Sequence, residues 1–307
     1  MSEALATCPA IEKESLTGVT VIYHAGCYDG FCAAFLLHEA YEKMGVEARF
    51  VPAHHGDEPP DVRDRHVVIA DFSFDRETLI RMNDEAKSMV VLDHHETAER
   101  ELADLDFCVF DMEKSGARLT WEWLQPGFNS MSVEPHWLVR YTEDRDLWQW
   151  KLPSSREVNA SLRTFPFDFK EWRRLAGGTV FHETAASTDS RIARAMEGEG
   201  ILRGQQQVID SHVRFAKTVG FSVKGRFQTW KVVNATTLIS EIAGTLAAEH
   251  GVGCCWFERS DGARVYSLRT TKEHDVDVGA IAKGFGGGGH RAASGFTFSA
   301  DRHPWEG

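Results

Sequence analysis

No apolar run in these 307 residues approaches the roughly 20 needed to span a bilayer. The stretch from Met1 to Thr17 carries acidic residues where a secretory signal would carry an apolar core. Both absences predict a cytoplasmic protein with no membrane partner. The six cysteines, Cys8, Cys27, Cys32, Cys108, Cys254 and Cys255, have neither zinc-finger nor disulfide-framework spacing. Several lie in apolar segments, where a free thiol behaves as a small hydrophobe, and a reducing compartment fits. Basic charge is also short: 34 Lys and Arg against 46 Asp and Glu leave a net charge of −12. That balance argues against coating of duplex DNA. It still admits a small phosphate substrate, because bound divalent cations supply positive charge locally.

What is present is concentrated in Val90-Val91-Leu92-Asp93-His94-His95. An apolar run that stops at charged groups reads as a buried parallel strand whose C-terminal end opens into a cleft, where open α/β sheets hold ligands. Taken alone, the Asp and His could simply cap the next helix. Strands are predicted over 19–23, 48–51, 67–70 and 90–92, with helices over 31–43 and 75–87, the alternation that marks β-α-β units. Further helices are predicted over 115–124 and 136–145. From about Thr184 to Val219 a long, charged, amphipathic helix suits a connector. Beyond it, strands over 221–223, 229–234, 253–258 and 264–269 surround a helix over 238–249, and a short helix over 277–283 leads into Gly284-Phe285-Gly286-Gly287-Gly288-Gly289-His290. At this length two domains are expected. The predicted class is α/β and bilobal: a parallel-sheet lobe over 1–183, a helical connector over 184–219 and a smaller α/β substrate-binding lobe over 220–307.

Four segments carry candidate ligands. His24, Cys27 and Asp29 follow the first strand, Asp71 ends the third, Asp93 to His95 end the fourth, and Asp144 and Asp146 lie in Tyr141-Thr142-Glu143-Asp144-Arg145-Asp146. So many Asp and His groups at one sheet edge repel one another unless divalent cations bind. Two metals bridged by a carboxylate activate a water and stabilise the attacking and leaving oxygens of phosphoryl transfer.

With His24-Ala25-Gly26-Cys27-Tyr28-Asp29-Gly30, Asp71, Asp93-His94-His95 and Asp144-Arg145-Asp146 as its four motifs, the chain resembles the DHH phosphoesterase family of exonucleases, oligoribonucleases, cyclic-dinucleotide phosphodiesterases and family II pyrophosphatases. Val265 to Arg269, Asp277-Val278 and Gly286 to Gly295 resemble the family's substrate domain in nucleotide and nucleic-acid phosphodiesterases. The resemblance implies two divalent cations, Mn²⁺ foremost, with Zn²⁺, Fe²⁺ or Mg²⁺ as the other options. One metal would be held by His24 and Asp71 with the position of Cys27, the other by Asp29, Asp71, His94 and Asp144, with Asp71 bridging. His95 would face substrate phosphate and Asp93 would orient a histidine, so Asp71, Asp93, His94 and His95 form the expected catalytic set. Arg269, Gly287, Gly288, Gly289 and His290 would grip phosphate, through backbone N–H groups, the guanidinium and the imidazole. The implied activity is metal-dependent, exonuclease-like hydrolysis of short single-stranded oligonucleotides, dinucleotides or nucleotide phosphates. By analogy the protein could be a homodimer.

Several alternatives stand beside this reading. Cys27 replaces an Asp common in the family; it either ligates through sulfur, favouring Zn²⁺ or Fe²⁺, or stands aside. Loss of catalysis through Cys27 would leave a nucleotide-binding regulator, and a pyrophosphatase or polyphosphate-cleaving enzyme is the third class. Asp146 rivals Asp144. The glycine run is either a hinge or an anion cradle. His54 and His55 are either ordinary loop residues or substrate contacts. Trp121, Trp123, Trp148 and Trp150 either pack the interior or stack bases. Ser115-Gly116-Ala117 is either a helix cap or an element near substrate.

Overall fold

The structure is a computed structural model that describes residues 18–128, 131–223, 226–298 and 302–306. It divides into two units, Met1–Ile201 and Leu202–Gly307. In the first unit β1 (Val19–His24), β2 (Ala48–Ala53), β3 (His66–Ala70), β4 (Ser88–Asp93) and β5 (Cys108–Phe110) form an all-parallel sheet in the order β2-β1-β3-β4-β5. The chain runs from β1 outward to β2 and then returns to β3 on the other side of β1. That reversal is the switch point at which open α/β sheets bind ligands, at the C-terminal strand ends.

Both sheet faces are covered, which is why the central strands are apolar throughout. Helix α1 (Tyr28–Met44) packs Phe31, Phe35 and Leu36 on one face, together with Trp121, Trp137 and Trp172. Phe72, Leu79 and Met82 cover Ile22, Ile69 and Val91 on the other, with α2 (Arg76–Glu85) supplying the last two. Around them lie α3 (Glu96–Leu102), α4 (Gly116–Leu124), α5 (Trp137–Asp146), α6 (Ser155–Leu162), α7 (Phe169–Ala176) and α8 (Ala185–Val213), the last reaching into the second unit. In this unit the sequence pattern did not mark β5, α3, α6 or α7. β5 has only three residues, too few for periodicity, and α6 and α7 have eight each.

The long helix ends at Val213, short of the predicted Val219. Lys217, Thr218 and Val219 instead open β6 (Lys217–Val223), paired antiparallel with β7 (Arg226–Asn234). The β-branched Thr218 and Val219 favour that strand. With β8 (Val252–Glu258), β9 (Arg264–Thr270), β10 (Gly288–Gly289) and β11 (Ala293–Phe298) these strands build a mixed sheet in the order β10-β11-β9-β8-β7-β6. Helices α9 (Ile239–His250) and α10 (Val278–Gly284) cover its two faces, and the pleat sends adjacent Cys254 and Cys255 into the two separate cores. Among the described residues no helix is long and apolar enough to cross a membrane.

Candidate metal centre

Three strand ends build the site. β1 ends at His24, β3 is followed by Asp71, and β4 ends at Asp93 with His94 and His95 just beyond. Parallel register sets Tyr23 beside Ala70 and Ala70 beside Leu92, so these side chains emerge along one edge. Asp71 leaves β3 in the left-handed conformation, φ 56°, a costly backbone for a residue with a Cβ.

Two clusters of ligand-type atoms result: His24, Asp71 and His95 in one, Asp29, His94 and Asp146 in the other. The Asp71 carboxylate joins them. Its Oδ2 lies 3.5 Å from His24 Nδ1, and its Oδ1 lies 3.1 Å from His94 Nε2. His94 Nε2 is also 3.4 Å from Asp146 Oδ2 and 3.9 Å from Asp29 Oδ2. His24 Nδ1 and Asp71 Oδ2 are buried without a hydrogen-bond partner. Facing orphaned polar atoms cost free energy unless something charged sits between them, and carboxylate and imidazole donors suit Mn²⁺, Mg²⁺ or Zn²⁺. The residues present fit a cation.

The surroundings hold these groups in place. Asp29, in the first turn of α1, accepts from the first amides of α4: Gly116 N–H at 2.5 Å and Ala117 N–H at 3.2 Å. A Cβ on Gly116 would stand 2.5 Å from Asp71 Cβ, so only glycine allows α4 this close. Asp93 Oδ1 receives His95 Nδ1 at 2.6 Å and the His94 amide at 2.8 Å, while Ser73 Oγ donates to Oδ2 at 2.5 Å. The carboxylate thereby orients His95 and leaves its other ring nitrogen for the first cluster.

The electrostatics are those of crowded acids. Burial, then Asp71 and Asp146, raise the Asp29 carboxyl well above its usual range, and burial followed by Asp71 raises Asp146. Asp71 goes the other way: burial opposes, but His24 and His94 hold it well below the usual carboxylate range. His94 is pushed up to about 9, with burial opposing and Asp71, Asp29 and Asp146 prevailing. The hydrogen bond to Asp93 raises His95. Protons here supply the positive charge that a cation would replace.

The placement bears on the sequence reading at four points. Asp144 does not reach the clusters: Lys151 N–H donates to its Oδ1 at 2.8 Å and Leu152 N–H to its Oδ2 at 3.4 Å. Asp146 takes its place. The signal was in the spacing, since Trp137, Tyr141 and Asp144 fall on one buried helical stripe and Asp146 falls off it. Cys27 joins neither cluster; it is the N-cap residue of α1, and burial with Asp71 and Asp29 raises its thiol, which disfavours thiolate. His95, expected to face substrate phosphate, lies with His24 and Asp71. Gly287 and Gly289 have a packing reason to be glycine: a Cβ would meet Gly295 O at 2.2 Å and Ser294 Cα at 2.6 Å, against β11.

In the second unit Gly288 is open, His290 is exposed, and Arg269 donates to Leu268 O and Ser240 Oγ, both at 2.8 Å. Trp121 and Trp123 are interior, and Ser115 caps α4 by accepting from Arg118 N–H at 3.2 Å. His55 was undervalued by sequence reasoning. Its ring is 5.7 Å from that of His24 and stacks on Phe72 at 4.9 Å. Burial, with His24 and His95, lowers its pKa. Its position two residues beyond β2, the neighbour of β1, was the available signal. A third cluster, His38, Glu39 and Glu42, is neutralised by Arg173.

No family model matches the chain. An uncharacterised protein of Acanthamoeba polyphaga mimivirus, R106, is 29% identical over 299 residues, covering 91% of this chain and 67% of that protein. Among solved structures, manganese-bound exonuclease RecJ aligns with a TM-score of 0.51 at 16% identity, over 96% of this chain and 89% of that one. The pGpG-specific phosphodiesterase PggH of Vibrio cholerae gives 0.51 at 14%, over 93% and 94%. An exopolyphosphatase-related protein from Bacteroides fragilis gives 0.52 at 12%, over 94% and 89%. The chain shares its fold with these three structures. Within that fold, the two clusters lie at the switch point of the five-stranded sheet.

Proposed function

We propose that this protein is a metal-dependent phosphodiesterase of the DHH family that hydrolyses short oligonucleotides, dinucleotides or nucleotide phosphates. The observation that carries the reading is the Asp71 carboxylate, with one oxygen turned to His24 and the other to His94. His24, Asp71 and His95 would hold one divalent cation, and Asp29, Asp71, His94 and Asp146 a second. Two cations so held would supply an activated water and charge neutralisation for an in-line displacement at phosphorus.

The chain's own residues prepare that geometry. Asp93 fixes the His95 ring, the N-terminal amides of α4 fix Asp29, and the turn at Asp71 points one carboxylate at both clusters. We assign phosphate binding in the second unit to Arg269, Gly288 and His290; Mn²⁺ is the expected metal, given the carboxylate and imidazole donors.

The test is a panel of dinucleotides, short RNA, short DNA, nucleoside 3′,5′-bisphosphates, pyrophosphate and polyphosphate under Mn²⁺, Mg²⁺ and Zn²⁺. Turnover of the nucleotide diesters with Mn²⁺ is expected. It should be abolished by EDTA and by Asp71→Ala or His94→Ala. Metal-dependent turnover that survives in Asp71→Ala would sink the assignment, and turnover confined to pyrophosphate or polyphosphate would replace it with the inorganic reading.

A further inference from the structure

Of nine tryptophans, Trp148 alone is exposed, at 58%, whereas Trp121, Trp137, Trp172 and Trp230 are at 1% or less. A bare indole facing water is unusual for a side chain of this size. Its backbone is unusual too. Trp148 and Trp150 both take φ 55°, the left-handed region that is costly for a residue with a Cβ.

This conformation is imposed rather than tolerated. The Asp144 carbonyl accepts Gln149 N–H at 2.8 Å and Trp150 N–H at 3.3 Å, its carboxylate accepts Lys151 and Leu152 N–H, and Arg145 O accepts Trp148 N–H at 2.9 Å. A buried aspartate at the end of α5 thus gathers four backbone amides to hold the loop. The ring is backed as well: Trp150 meets Trp148 edge to face at 5.0 Å, and the Arg156 guanidinium lies 4.5 Å over Trp150. The rigid platform begins two residues after Asp146, at most about 7 Å of chain from a residue of the second cluster.

We propose that Trp148 is a nucleobase-stacking subsite, placing a base of the substrate next to the phosphate bound at the second cluster. The proposal rests on the phosphodiesterase reading and deepens it, because a stacking face recognises a nucleotide and has nothing to offer pyrophosphate or polyphosphate. Base–indole stacking tolerates any base, so Trp148 selects for the presence of a base rather than its identity.

The test compares a 5′-phosphorylated dinucleotide with its abasic analogue, which has the same backbone and no base, on wild-type protein, Trp148→Ala and Trp148→Phe. Turnover is followed with Mn²⁺, and equilibrium binding is followed separately in EDTA, where no turnover occurs. In Trp148→Ala, KM and the EDTA dissociation constant for the dinucleotide should both rise about tenfold. Those for the abasic analogue should not change, and Trp148→Phe should recover most of the loss. An equal loss on both substrates, or a dinucleotide dissociation constant within twofold of wild type, overturns the subsite. Absent wild-type turnover of either diester overturns the phosphodiesterase reading instead, and the EDTA binding comparison still decides the role of Trp148.

Discussion

Asp144 and Asp146 are two residues apart, both largely shielded, and their environments predict opposite phenotypes. Asp144 spends its carboxylate on the amides of Lys151 and Leu152. Asp144→Ala removes these charge-assisted bonds from a part-buried loop and should cost about 1–3 kcal/mol in urea unfolding of metal-free protein. Asp146 instead adds a third carboxylate near His94 and, among the described residues, has no such backbone partner to lose. Asp146→Ala should leave metal-free stability unchanged or slightly raised, since it relieves repulsion, while weakening Mn²⁺ binding at least tenfold by calorimetry. Equal destabilisation by the two substitutions would remove the distinction. Gly116→Ala, whose Cβ meets Asp71, should fold yet lose most turnover. The motif residues themselves were legible as a set because acids and histidines at strand ends stand out against apolar runs. The choice between Asp144 and Asp146 depended on helical phase, which a four-motif resemblance does not encode, and the sequence left Trp148 open between packing and stacking because its exposure is set by the fold.

At the scale of elements, α5 depends on an unusual cap. His136 is entirely buried, and its Nδ1 accepts the Leu138 N–H at 3.3 Å at the start of the helix that ends with Asp146. Burial lowers its pKa to about 3. The unfolded chain, with His near 6.5, therefore binds a proton that the folded protein refuses. The histidine's contribution is fully present above pH 6.5 and is lost as the pH falls toward 3. Between pH 7 and 5 the loss is about 2 kcal/mol. Protonated Nδ1 also no longer accepts, so acid uncaps the helix that carries Asp146. His136→Asn keeps a capping side chain and removes the titration. Its urea-derived stability in EDTA should fall less steeply between pH 7 and 5 than that of wild type, and parallel pH curves would refute the role of His136. The helix itself was readable from its apolar spacing, to within a residue at each end. Its cap was not, because a histidine before a helix carries no statistical signal and only burial makes it decisive.

Across the whole molecule the same acidity that argued against duplex DNA now has a location. Asp29, Asp71, Asp93 and Asp146 converge at one sheet edge beside His24, His94 and His95, a surplus of carboxylates that bound cations would offset, so metal binding and folding of the first unit are linked. Sequence alternation foretold the parallel sheet and the separate second unit, since β-α-β periodicity is local. It did not foretell the strand order, which brings β1 and β3 together and follows from crossovers that only the assembled sheet displays. Every residue of both clusters lies between His24 and Asp146, inside the first unit. Saturation to about a hundred times the dissociation constant stabilises a native state by about 2.7 kcal/mol. Amides of the first-unit sheet that exchange through opening of the unit should therefore slow about a hundredfold in Mn²⁺. Hydrogen exchange read by mass spectrometry should show that protection in peptides covering β1, the Asp71 turn, the end of β4, the start of α4 and the loop after Asp146. Peptides from β8 and β9 should exchange at the same rate with and without metal, and Asp71→Ala should lose the effect throughout. Equal slowing in β8 and β9 would mean that the cation is not held by the first unit alone.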